Sequence, residues 1–116
     1  MIVTRVRGMC DDGKTCPALH RTDRNTVVVQ GWAVVDSGVL AQMGLPPGAE
    51  AVEVPSALLA EALDTWSALR QTGRGTVIVP GTAVNDPEAL RQLGLPASER
   101  AVEVPADLLA RVLQAC

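Results

Sequence analysis

The sequence has almost no aromatic residues: two Trp, no Phe and no Tyr in 116 residues. That scarcity removes the stacking platforms on which single-stranded nucleic acid is held and most of the aromatic anchors of interface hot spots. The interior must be built from Val, Leu, Ala and Met. Three cysteines, Cys10, Cys16 and Cys116, are too few for a disulfide-rich secreted scaffold. No apolar run approaches membrane-spanning length, and Met1–Gly8 carries two arginines rather than a signal-peptide core. A soluble cytoplasmic protein without membrane association is expected. Basic residues are missing where a duplex-binding surface would need them. The net charge is −3, and Thr26–Leu63 contains Asp36, Glu50, Glu53 and Glu61 but no Lys or Arg.

The chain does contain an internal repeat. Thr26–Pro46 and Thr76–Pro96 align without a gap, and the match extends from Ala18/Ala68 to Leu63/Leu113 with a period of about fifty residues. Ala51-Val-Glu-Val-Pro recurs as Ala101-Val-Glu-Val-Pro, and Leu58-Leu59-Ala60 as Leu108-Leu109-Ala110. A unit this short buries only about 60% of its unfolded surface and is marginal alone. The expected fold is therefore α+β, a tandem duplication of a β-β-α-β-α module in which both copies share one pseudo-twofold core. Residues 1–15 form an N-terminal strand and Cys-containing loop, 16–65 the first repeat and 66–116 the second.

Each repeat opens with a hairpin. Ala18–Thr22 and Thr26–Val29 are joined by Asp23-Arg24-Asn25, replaced in the second copy by Gly73-Arg74-Gly75; Asn and Gly suit the positive φ such loops require. Pro80 in place of Gln30 predicts an edge or a bulge there. A short helix follows, capped by Asp36 or Asp86 and ended by Gly44 or Gly94, with Pro87 and Glu88 adding further start signals in the second copy. Leu40, Met43, Leu45, Leu90, Leu93 and Leu95 are expected to face inward. In the third strand Val52 and Val54 share one face and Glu53 the other. Pro55 then starts a second helix with Leu58, Leu59, Ala62 and Leu63 on its buried stripe, repeated as Leu108, Leu109, Val112 and Leu113.

Candidate chemistry is sparse. Cys10, Cys16 and His20 form a soft-ligand cluster. Cys116, at the repeat phase of Cys16, supplies a fourth ligand if the termini meet. Reduced thiols and one exposed histidine are the expected state of this set, with a structural zinc site or a Cys10–Cys16 disulfide as the alternatives; Cys-x5-Cys-x3-His is not a standard zinc-finger spacing. Asp36 and Asp86 read as helix caps, and Glu53 and Glu103 as a solvated face. There is no phosphate-cradling Gly loop, nucleophile elbow or kinase-type motif, so no catalytic residues and no organic cofactor are expected. Arg5, Arg7, Arg21, Arg24 and Arg74 are the candidate contacts to an anionic partner or nucleic acid.

Two resemblances add to this. Ala68-Leu-Arg-Gln-Thr-Gly-Arg-Gly-Thr-Val-Ile-Val-Pro, Leu90-Arg-Gln-Leu-Gly-Leu-Pro and Ala101-Val-Glu-Val resemble the swapped-hairpin DNA-binding module of the AbrB and MazE type. That resemblance implies intertwined units and a transcriptional regulator. The insertion Gly81–Asp86 and the helix after the last strand depart from the family pattern. The run Thr15–Val34, with its Thr-Cys-Pro and Val-Val-Gln-Gly-Trp elements, resembles small actinobacterial proteins near helix-turn-helix regulators and implies no known activity. The function expected from the residues is a non-enzymatic accessory or regulatory protein that binds a protein partner or itself. An AbrB-like DNA-binding regulator and a zinc or thiol-redox protein are the alternatives.

Overall fold

The computed structural model describes residues 1–8, 17–95 and 98–115. Its elements are β1 (Val3–Gly8), β2 (Ala18–Thr22), β3 (Thr26–Ala33), α1 (Ser37–Met43), β4 (Ala49–Pro55), a 3₁₀ helix (Ser56–Ala62), β5 (Arg70–Gln71), β6 (Thr76–Ala83), α2 (Pro87–Leu93), β7 (Glu99–Pro105), a second 3₁₀ helix (Ala106–Leu109) and α3 (Ala110–Ala115). The class is α+β, with one antiparallel sheet and short helices.

The local signals act as their chemistry dictates. Asp36 Oδ1 accepts the backbone N–H groups of Gly38 and Val39, and Asp86 Oδ1 those of Glu88 and Ala89. Gly44 and Gly94 end the helices at φ 59°, a left-handed conformation that costs an L side chain about 1 kcal/mol or more. Asn25 at φ 58° and Gly75 at φ 81° close the two hairpins. β5 stops opposite Ile78, whereas its counterpart β2 extends to Gln30; Pro80, lacking an N–H, stands where that pairing would continue.

The long ladders run between the halves of the chain. β3 pairs with β7 from Thr26–Pro105 to Trp32–Glu99, and β6 pairs with β4 from Thr76–Pro55 to Thr82–Ala49. Within one half, β3 meets β4 only at Trp32–Glu53 and Ala33–Val52, and β6 meets β7 only at Thr82–Glu103 and Ala83–Val102. These four ladders form a closed ring, β3–β7–β6–β4, which leaves the hairpin strands β1, β2 and β5 outside it. Gly31 lies where β3 passes from one partner to the other. A Cβ there would stand 2.6 Å from the Glu53 carbonyl oxygen and 2.6 Å from Val54 Cγ1, so the crossing requires glycine.

The inward faces of the ring supply Val27, Val29, Val52, Val54, Val77, Val79, Val102 and Val104, which pack with Leu19, Leu58, Leu59, Leu109 and Trp66 in one cluster drawn from both halves. Period-2 alternation is thus realised as expected, with Glu53 outside Val52 and Val54.

The helices differ from expectation in three ways. The segment after Pro55 is 3₁₀ and kinked at Leu59 (φ −123°, ψ 27°), and Pro55 gives it no side-chain cap. Leu90 is exposed and Ala89 is the buried residue of α2, while α1 buries none of its residues. Leu108 is exposed, although Leu58 at the same repeat position is fully buried.

Candidate functional site

The sequence-predicted site residues separate into three groups. Cys10, Cys16 and Cys116 lie outside the described residues. Among the described residues no group of His, Cys, Asp and Glu side chains is arranged to hold a metal. His20, their suggested companion, is buried in β2, and its Nε2 lies 3.0 Å from Gln30 Oε1. Gln30 Nε2 in turn donates to Glu99 Oε1 at 2.9 Å. Since the carboxylate accepts, the amide oxygen of Gln30 must face His20, and His20 must donate from Nε2. Burial pushes the imidazole below its ordinary value of 6.5, the Gln30 hydrogen bond opposes this, and the Arg5 charge adds to it. Glu99 Oε2 is buried without a hydrogen-bond partner among the described residues. Sequence reading missed this relay. Its only sequence signal is that His20 and Gln30 share phase with Val28, on the face opposite Val27 and Val29.

The arginines are largely committed to the chain's own carboxylates. Arg24 donates to Glu103 Oε1 at 2.6 Å, and Thr26 Oγ1 donates to Glu103 Oε2 at 2.5 Å. The second hairpin repeats this on the other half: Arg74 reaches Glu53 Oε2 at 3.1 Å and Thr76 Oγ1 the same oxygen at 2.6 Å. Glu53 and Glu103 are therefore half-buried clasps that tie each hairpin tip to the opposite repeat, not a solvated face. The signal was available, since Arg, Thr and Glu are identical in both copies at these positions. Arg7 makes a two-toothed pair with Glu61 (2.9 and 3.2 Å) and also donates to the Leu58 carbonyl. Arg7 holds the Glu61 carboxyl below its usual range. Arg5 lies with its guanidinium over Gly8. Arg21 is exposed on β2, paired through its backbone with Thr4 and Val27. The five arginines thus do not converge on one surface.

The open surfaces lie around α1. Between α1 and the strands β3 and β4 runs a groove of about 650 Å³. Its walls include Ala33, Val35, Leu40, Leu45 and Pro47, and Glu50 and Arg100 also line it. Val35 is 84% exposed, and Trp32 close by in β3 is also exposed. The equivalent hollow beside α2 is about 350 Å³ and has Glu99 where the first has Ala49. α2 is held down by the N-terminus: the Met1 ammonium meets Asp86 Oδ2 at 3.2 Å, and Met1 and Val3 pack with Leu93 and Leu95 around Val28, Val84, Ala89 and Ala101. Backbone N–H donation from Ala89, followed by the amino terminus, pulls the Asp86 carboxyl below its ordinary value. Among the described residues no such strand covers α1.

Among the described residues no helix is long and apolar enough to cross a membrane. No protein-family model matches the chain, and no curated protein or solved structure matches it with significance.

Proposed function

We propose that the chain is a tandem duplication of a β-β-α-β-α unit folded as one pseudo-twofold domain, and that it works in the cytoplasm as a non-enzymatic accessory or regulatory protein by binding another protein. The repeat is carried by the matching registers: every residue pair in the β3–β7 ladder has its counterpart fifty residues away in β6–β4. The binding function is carried by one observation, the uncovered helix α1. It buries none of its residues and borders the larger apolar groove, while its repeat partner α2 is sealed by Met1 and Val3. A mostly apolar groove whose lining includes one Glu and one Arg suits a protein surface better than phosphate.

A nucleic-acid partner has weaker support. Three of the five candidate arginines, Arg7, Arg24 and Arg74, are already paired with Glu61, Glu103 and Glu53, and a duplex would have to displace those carboxylates.

The test is affinity capture from native lysate with the chain and with its Val35→Glu form. Val35 is almost fully exposed, so the substitution leaves stability within about 0.5 kcal/mol. Proteins captured by the chain and lost with Val35→Glu support the reading. Identical captured sets, or none, contradict it. Tight binding of duplex DNA that weakens steeply with salt would favour the regulator instead.

A further inference from the structure

The two outer edges of the sheet are equivalent in sequence and unequal in structure. On one side β1 covers β2, so that Ala18, Leu19 and His20 are all buried. The covering strand is held at three points. Its ammonium meets Asp86 Oδ2. Val3 N–H donates to Gln92 Oε1 at 3.0 Å, and Gln92 Nε2 donates to the Met1 carbonyl at 3.1 Å. At its far end Arg7 closes over Leu58 and Glu61.

On the other side the groups that receive Met1 and Val3 recur, and among the described residues no strand meets them. Asp36 has the same backbone as Asp86 (φ −70°, ψ 110° against −68°, 117°) and spends Oδ1 on the same two N–H groups. Its Oδ2 has no hydrogen-bond partner among the described residues. Gln42 stands for Gln92 and is bonded to Arg70, an exposed side chain in the place of buried His20. Leu108 is 36% exposed where Leu58 is 0% exposed. Among the described residues β5 pairs with β6 alone, and a hollow of about 290 Å³ separates Gln42 and Met43 from Ala68–Arg70.

We propose that this edge is the seat for the N-terminal strand of a partner protein, added to β5 as β1 is added to β2. The inference rests on the protein-binding reading and names the partner's chemistry. A free amino terminus meets the Asp36 carboxylate. The backbone of the first and third residues bonds Gln42 once Arg70 swings away, and apolar side chains at those positions cover Met43 and Leu45, as Met1 and Val3 pack with Leu93 and Leu95. The seat also discriminates. Arg111 occupies the place of Glu61 and is exposed without an ion-pair partner among the described residues, so the seventh residue of the incoming strand is acidic. The chain's own N-terminus, with Arg7, meets like charge there, which disfavours a second copy.

The test uses the ¹⁵N-labelled full chain and two synthetic peptides, the chain's own first eight residues and their Arg7→Glu form, each with a free and an acetylated N-terminus. The free Arg7→Glu peptide is expected to move the amide resonances of Gln42, Arg70 and Gln71 with one-to-one saturation. Acetylation should weaken it by about tenfold, equivalent to about 1.4 kcal/mol. In Arg111→Glu the preference between the two peptides should reverse, and in Asp36→Asn the penalty for acetylation should vanish. Several outcomes overturn the proposal: shifts centred on His20 and Arg21 with release of Met1, equal binding of acetylated peptide, or no shift at millimolar peptide. Concentration-dependent shifts at Arg70 without peptide would make a second copy the occupant and equally overturn it. Absent peptide shifts combined with a captured partner that Val35→Glu abolishes would refute the seat and leave protein binding standing.

Discussion

Leu58 and Leu108 stand fifty residues apart in matching sequence, and truncating each to Ala compares a buried with an exposed leucine. Leu58 is fully buried in the main core cluster, and Arg7 of β1 donates to its carbonyl. Leu58→Ala removes a packed side chain from a valine-rich core that has no aromatic ring nearby except Trp66. Such truncations cost about 2–5 kcal/mol, because the lost transfer energy is joined by the cost of the cavity. Leu108 is 36% exposed and leaves little cavity, so Leu108→Ala should cost under about 1 kcal/mol. With an unfolding entropy of about 2.1 cal/mol/K per residue, the two variants should melt roughly 8–20 °C and under about 4 °C below the parent. The assay is a reversible thermal melt by circular dichroism, paired with urea titration at 25 °C. Equal losses for the two variants would refute the reasoning, since Leu108 would then be covered as well as Leu58 is.

Other outcomes follow from the same structure. Gly31→Ala should destabilise by about 2–3 kcal/mol in urea titration, because its Cβ meets a carbonyl oxygen at 2.6 Å; a neutral result would contradict the strand crossing. Glu103→Gln should cost at most about 1 kcal/mol at low salt and less at high salt, since it opens one half-exposed ion pair and weakens the Thr26 hydrogen bond; a large, salt-independent loss would show the clasp to be misread. His20 has a folded-state pKa below its unfolded value of 6.5. The unfolded chain therefore binds more protons in that window, so stability is complete above pH 6.5 and declines as pH falls from 6.5 toward the folded value. His20→Gln should flatten urea-derived stability between pH 7.5 and 5.5, and an unchanged slope would exclude His20 as the source. The contribution of Asp86, whose carboxyl is also depressed, persists to lower pH and is lost only below its unfolded pKa of about 3.8.

Much of the local structure was legible because its causes are local. Asp36, Asp86, Gly44, Gly94, Asn25 and Pro80 each act through their own backbone or its near neighbours, so hairpins, caps and the shortened β5 could be read residue by residue. Partner choice was not legible. Alternating Val27, Val29, Val52 and Val54 show which face is buried, but not that β3 lies along β7 of the other repeat instead of β4 of its own. Glu53 and Glu103 were misjudged for that reason, since their Arg and Thr partners come from the opposite half. Leu108 was misjudged because helical spacing assumes something to pack against, and among the described residues the covering strand lies on the other side only; on the covered helix α2 it is Ala89, not Leu90, that takes the buried position. The buried Glu99 depends on the β3–β7 register, which places it diagonally from Gln30, and nothing in Ser98-Glu-Arg-Ala announces it.

The central claim is that the N-terminal strand closes one edge of the sheet and that, among the described residues, the equivalent edge, with α1, is left open. Native-state amide hydrogen exchange followed by NMR tests it most directly. The amides of His20 and Arg21 in β2, and of α2, should be strongly protected, while those of Arg70 and Gln71 in β5, and of α1, should exchange through local opening far faster than global unfolding allows. Equal protection of the two edges would contradict the account.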